Sequence, residues 1–273
     1  MVKKLFKHEF LSYIRVMSVV YIILLTMAAA GRVIQFFASD SIPYKIISVF
    51  SGITYGISVF AAFAFVFVLG IVRFYKNLFT GEGYLSFTLP VTPAQHILVK
   101  AVTTVAMEAV TVLVVLLSGC IIFAGEVLVE IWKAAAYIFE KLYEFIGFQS
   151  VLICGEFVIL FLLGCFSGIL MYYVFISIGQ MFKKNRILAA VGAYFAYYIV
   201  TQILSTIFIV VISILGETGV LDAFLERLGR FAEVHPFVAI HSGMGIIALV
   251  TAVFIFVEFV VVKKIITKKL NLE

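Results

Sequence analysis

The residues of this chain whose types and spacing could do chemistry lie where water is scarce. Lys100, Thr104, Glu108, Thr111 and Ser118 follow one another at separations of 4, 4, 3 and 7 within an apolar run, so they share one face of a helix. Glu108 is eleven residues past Ile97, roughly 16 Å along a membrane span at 1.5 Å per residue. An ionisable group at that depth is costly and normally faces a bundle interior or water. Two uses suit it: a carboxylic acid hydrogen-bonded between helices, or a group lining a path. A looser counterpart follows in Tyr194, Tyr197, Tyr198, Thr201 and Ser205. The candidates for lining a path are therefore Thr104, Glu108, Thr111, Tyr194, Tyr198 and Thr201.

Other chemistries lack their residues. The sequence has no GxxxxGK[ST] phosphate loop and neither an HExxH nor a GxSxG signature, so nucleotide hydrolysis by that loop, zincin chemistry and a nucleophile elbow are excluded. Glu233, His235 and His241 offer a carboxylate and two imidazoles of the kind zinc accepts. Pro236 directly after His235 reads instead as a Pro-initiated turn at the mouth of the last span, and no metal is expected. Glu156 and Glu258 are the remaining acids in apolar runs, and Glu258 is near enough to Lys263 to be neutralised at an interface. No catalytic residue is expected, and the chain is read as non-enzymatic.

The stretch RFYKNLFTGEGYLSFTLPVTPAQHILVK, residues 73–100, is the longest break in hydrophobicity on its side of the chain. Arg73 to Phe79 alternates basic and aromatic residues and is expected as a short amphipathic helix. Thr80-Gly-Glu-Gly83 breaks it, because glycine is poor in helix interiors. Thr92-Pro93-Ala94-Gln95 then opens the next helix, with Thr92 as N-cap, Pro93 in the first turn and Gln95 completing a capping box. Exposed Phe74, Tyr75, Leu78, Phe79 and Tyr84 beside Lys76 and Glu82 would be a sticky surface unless a partner covered part of it.

The elements that hold these residues are apolar helices. The chain has 273 residues, of which 64% are hydrophobic and 13% charged, and a mean hydropathy of +1.20. Soluble domains carry about 25% charged residues. A span needs about 20 apolar residues, and six are expected, near 16–38, 46–72, 97–124, 151–181, 187–215 and 242–262. The fold expected is an all-α integral membrane protein forming a single transmembrane domain over 1–273. Residues 1–15 should be an amphipathic interfacial helix, with Leu5, Phe6, Phe10, Tyr13 and Ile14 toward lipid and Lys3, Lys4, Lys7 and Arg15 toward headgroups. Fourteen Lys and Arg flank one side of these spans against six on the other. The positive-inside rule then makes both termini, residues 73–96 and the tail 263–273 cytoplasmic. A multi-pass protein of the plasma membrane is expected, with lipid as a partner and no nucleic acid.

The two longer outer segments are patterned. Over residues 126–148, Glu126, Glu130, Lys133, Tyr137, Glu140, Lys141 and Glu144 oppose Val127, Ile131, Trp132, Ile138, Leu142 and Phe145. Leu221 to Phe231 repeats this more briefly. Both are expected to lie on the membrane surface or cap an outer vestibule, ordinary interfacial connectors being the plainer reading. Trp132 is the sole tryptophan and should sit at headgroup level. Gly164-x-x-x-Gly168 is a spacing that lets helix backbones approach. Cys120, Cys154 and Cys165 show no metal-binding spacing.

Six spans, a basic amphipathic N-terminal helix and the 73–100 stretch resemble the permease subunits of type-2 ABC exporters. The specific part is EGYLSFTLPVT running straight into a helix. The resemblance implies a coupling helix within residues 73–96 that docks on a separate ATPase subunit through Phe74, Tyr75, Lys76, Leu78, Phe79, Glu82 and Tyr84. It implies further a second permease copy, identical or related, and ATP and Mg bound by the partner and not by this chain. It also implies short outer helices before the last span, matching residues 216–242. The function expected is a translocation-pathway subunit, with amphipathic peptide or lipid-like cargo suggested by the Tyr- and Phe-rich composition. An ion- or proton-coupled transporter using Glu108, and a membrane sensor or assembly protein, are the alternatives.

Overall fold

The computed structural model describes residues 2–88 and 90–269. Among these the chain is helical throughout, with nine helices and no strand. Six of the helices are long and apolar enough to cross a membrane, which is compatible with a multi-pass membrane protein. The chain divides into two compact units, Met1–Gly147 and Phe148–Glu273.

The first unit holds α1 (Val2–Phe36), α2 (Ile42–Phe79), α3 (Gly81–Thr88), α4 (Pro93–Ile122) and α5 (Glu126–Ile146). α1 is one unbroken helix, with no break where an N-terminal helix was expected to give way to a span. No glycine or proline occurs before Gly31, so nothing in the backbone favours a break near residue 15. α1 buries Tyr13, Met17, Tyr21, Leu24, Ala28 and Gly31, three or four residues apart, as a single stripe against α4 and α2. Tyr13 therefore faces protein and not lipid. The core it enters comprises Tyr13, Met17, Tyr21, Val66 and Met107.

α2 likewise continues through residues 73–79, expected as a separate amphipathic helix, and ends only at Thr80. Its buried positions begin at Ala62 and recur as Val66, Gly70, Phe74 and Leu78, with Phe79 beside them. Packing on this helix is thus concentrated toward the end that meets α3. Gly70 is required there. A Cβ at that position would stand 2.5 Å from Thr104 Cγ2 and 3.1 Å from the Tyr13 hydroxyl. Three tyrosines tie the helices together in the apolar interior. Tyr13 donates to the Val66 carbonyl, Tyr21 meets the Thr111 hydroxyl at 2.8 Å, and Tyr55 meets the Ser118 hydroxyl at 2.8 Å. Hydrogen bonds of this kind between membrane helices contribute about 0.6 kcal/mol on average.

α4 begins as the sequence indicates. Thr92 is extended, with φ −76° and ψ 154°. The Gln95 amide donates to Thr92 Oγ1 at 3.3 Å and the Thr92 amide donates to Gln95 Oε1 at 2.9 Å, which closes the capping box. α5 is helical over nearly the whole of the amphipathic segment expected at 126–148 and buries no described side chain.

The second unit holds α6 (Gln149–Gly179), α7 (Arg186–Glu217), α8 (Val220–Val234) and α9 (Pro236–Lys269). α6 packs on α9 and α7, and α8 touches α7 and α9. The α6–α7 hairpin is tight. A Cβ on Gly179 would come within 2.6 Å of the Arg186 carbonyl oxygen, and Asn185 takes the left-handed conformation at φ 52° before α7. Tyr172, Phe175, Tyr194 and Tyr197 form an aromatic cluster between the two helices. α7 itself buries nothing. The expected close packing at Gly164 and Gly168 is not realised within the chain, because a methyl group at either would meet no atom within 4 Å. The tail segment expected over 263–273 lies within α9 as far as Lys269, and its remainder lies outside the described residues.

Candidate functional site

The end of the first unit where α1 starts, α2 stops and α4 starts is organised by one carboxylate. Glu9 is the sole acid in the first fifteen residues and faces α2 and α4. Its Oε2 accepts from an Arg73 guanidinium nitrogen at 2.6 Å, and its Oε1 accepts from Lys100 Nζ at 2.6 Å. Arg73 donates additionally to Ser12 Oγ at 3.1 Å, and its guanidinium lies 5.2 Å from the Tyr13 ring centroid. Two cations and one anion leave a net positive charge in a place with little access to water. Such a cluster holds only while every member keeps its partners.

α3 is attached to this cluster. It leaves α2 at Thr80, whose hydroxyl donates to the Lys76 carbonyl at 2.6 Å and whose carbonyl accepts from the Gly83 amide at 2.7 Å. It packs along α2. His96, buried on the first turn of α4, hydrogen-bonds the backbone of Ser86 in α3, and Glu82 adds its field at Lys100.

The expected coupling residues separate into two groups. Phe74, Leu78 and Phe79 are fully buried, with the rings of Phe74 and Phe79 edge-to-face at 5.6 Å. They are therefore not an exposed docking surface but the packing that carries α3, because α2 continues and turns these positions inward at every fourth residue. Tyr75 is half-buried. Lys76, Glu82 and Tyr84 are exposed, Tyr84 by 56%, and Leu85 beside it by 73%. Leu85 falls within the stretch that stood out in the sequence, yet no composition signal separated it from its neighbours.

The expected path-lining residues separate also. Thr104 and Thr111 are buried in helix packing. Thr104 donates to the Lys100 carbonyl and presses on Gly70, while Thr111 donates to the Met107 carbonyl and meets Tyr21. The polar stripe of α4 is thus largely spent on α1 and α2 at Thr104 and Thr111. Glu108 is half-buried between them in sequence. Tyr194 and Tyr198 are exposed and Thr201 is half-buried on α7, with Tyr194 in the aromatic cluster and the Thr201 hydroxyl bonded to the Tyr197 and Tyr198 carbonyls. No family model, no curated protein and no solved structure matches this chain.

The second unit has a polar site that the sequence did not single out as a group. His241 on α9 meets Glu156 Oε1 through Nδ1 at 2.7 Å and Gln149 Oε1 through Nε2 at 2.8 Å, both on α6. Deeper along the same pair of helices, Ser167 donates to Glu258 Oε2 at 3.1 Å. The partner of Glu258 is therefore a hydroxyl, not the expected Lys263. These contacts join α6 to α9. No cluster able to hold a metal occurs among the described residues. The separations of 85, 92 and 91 positions explain why no local pattern announced them.

Proposed function

We propose that this chain is the membrane-spanning subunit of an ATP-driven exporter of the type-2 ABC kind, powered by an ATPase subunit in trans and paired with a second permease copy. The observation that carries the reading is α3, an eight-residue helix set between two long apolar helices. It presents Glu82, Tyr84 and Leu85 outward, with Lys76 exposed on the last turn of α2, while Phe74, Leu78 and Phe79 anchor its base. A push on α3 would pass to α2 by packing, to α4 through His96, and to α1 through the Glu9 ion pairs. The chain contributes no ATP chemistry, so ATP and Mg belong to the partner. The charge asymmetry supports a plasma-membrane protein with α3 and both termini in the cytoplasm. An amphipathic peptide or lipid-like compound is the cargo class in keeping with its aromatic composition.

The test is co-purification with an ATPase encoded alongside the chain, followed by vanadate-sensitive hydrolysis. Tyr84→Ala/Leu85→Ala should weaken association at least tenfold, since exposed aromatics at interface centres carry about 2 kcal/mol or more. Full binding and full cargo-stimulated hydrolysis by that variant would sink the docking assignment. One observation favours a second reading, an ion- or proton-coupled transporter: Glu108 is only half-buried at mid-helix. Proton-dependent uptake into vesicles without any ATPase, abolished by Glu108→Gln, would establish that alternative.

A further inference from the structure

α5 has more apolar surface than any neighbour in the chain covers. At about 100° per residue, its four glutamates and two lysines occupy an arc of roughly 100°, and the rest of the circumference is alanine, aliphatic or aromatic. A helix of a soluble domain would bury such an arc in a core. Here no described side chain of α5 is buried. Trp132 is 75% exposed and Phe145 87% exposed.

The uncovered side is shaped. Trp132, Ala135, Ala136, Phe139, Glu140 and Tyr143 line an open groove of about 620 Å³. These positions recur three or four residues apart and so lie along one side of the helix, at the border between the apolar and polar arcs. Along the chain, α5 is joined to α4 by residues 123–125 and to α6 by residues 147–148, so both its ends stay close to apolar helices of spanning length. A narrow polar arc, a wide apolar one, a tryptophan and two tyrosines are the composition of a helix lying in a bilayer interface. Water is a poor occupant of so apolar a groove, and the charges that would steer a polar protein partner face the other way.

We propose that α5 is a lipid-binding element seated in the leaflet at the end of the bundle opposite α3, and that the Ala135–Ala136 groove takes an acyl chain of a phospholipid. The placement rests on the chain crossing a bilayer and not on what it carries. On the charge-derived orientation this is the outer leaflet. Trp132 packs against the acyl chain near the glycerol level, and the glutamates and lysines face the headgroups and water.

Trp132 reports on this directly, because it is the sole tryptophan. The full chain is reconstituted into phosphatidylcholine vesicles, and material surviving alkaline extraction is used, so a failure to span the bilayer is a separate result. Phosphatidylcholine with a nitroxide high on the acyl chain should quench Trp132 several-fold more than iodide does. Ala135→Leu/Ala136→Leu fills the groove and should reduce that quenching at least twofold. Dominant quenching by iodide would overturn the proposal in favour of a water-filled vestibule. Protection from both quenchers would overturn it in favour of a protein occupant such as a second copy. Quenching by lipid that is unchanged in the double variant would overturn the acyl-chain groove.

Discussion

Glu9 and Lys100, 91 positions apart, meet at 2.6 Å and close the α1–α4 contact at the α3 end of the first unit. Arg73 shares the same carboxylate from α2. One acid thereby fastens three helices. Removing one member of a buried ionic cluster typically costs about 3–5 kcal/mol, because the remaining charges lose their compensation.

Glu9→Ala should therefore lower the thermal unfolding midpoint of the detergent-purified chain strongly. Glu9→Ala/Lys100→Met should recover much of the loss, since it also removes one of the stranded cations. Equal midpoints for the single and double variants would show that the charge balance of the cluster is unimportant.

Gly70 is predicted to tolerate no side chain. Its Cβ would overlap Thr104, and overpacking of this kind costs about 1–3 kcal/mol. Gly70→Ala should destabilise by that amount, and Thr104→Ala in the same chain should relieve part of it. Calorimetry or ligand-free thermal scanning would read both. A neutral Gly70→Ala would mean that α2 and α4 stand further apart.

Phe79 and Tyr84 should behave oppositely despite being five residues apart. Phe79→Ala empties a fully buried position, for which about 3–5 kcal/mol is expected, and the isolated subunit should show the loss. Tyr84→Ala at an exposed position should change stability by no more than about 0.5 kcal/mol, its effect appearing only with a partner. Comparable unfolding midpoints for the two variants would contradict the burial pattern around α3.

The orientation is open to chemical labelling. In a background lacking Cys120, Cys154 and Cys165, a cysteine at position 81 should react with an impermeant maleimide only after the membrane is opened, and one at position 133, on the charged arc of α5, should react in intact cells. The warrant is the distribution of Lys and Arg, fourteen against six. The opposite labelling pattern would invert the topology.

Much of the architecture was legible locally. Long apolar runs mark the six long helices, because crossing a bilayer is a matter of length and composition. The Thr92–Gln95 cap and the amphipathic α5 were readable for the same reason, each being a pattern within a few turns of one helix. What the sequence could not decide was which neighbour each face would meet. The alternation of basic and aromatic residues at 73–79 reads as an exposed amphipathic helix. Only the continuation of α2 against its partners turns Phe74, Leu78 and Phe79 inward. The stripe Thr104, Thr111, Ser118 reads equally as a path lining or as helix glue, and the tyrosines of α1 and α2 decide for glue at Thr111 and Ser118. No local pattern singles out Glu9, and His241 reads as a residue beside a Pro-initiated turn at the mouth of the last span. Their partners lie 64 to 92 positions away. Periodicity fixes where a side chain stands on its own helix, whereas a hydrogen bond or ion pair depends on which helices the fold brings alongside.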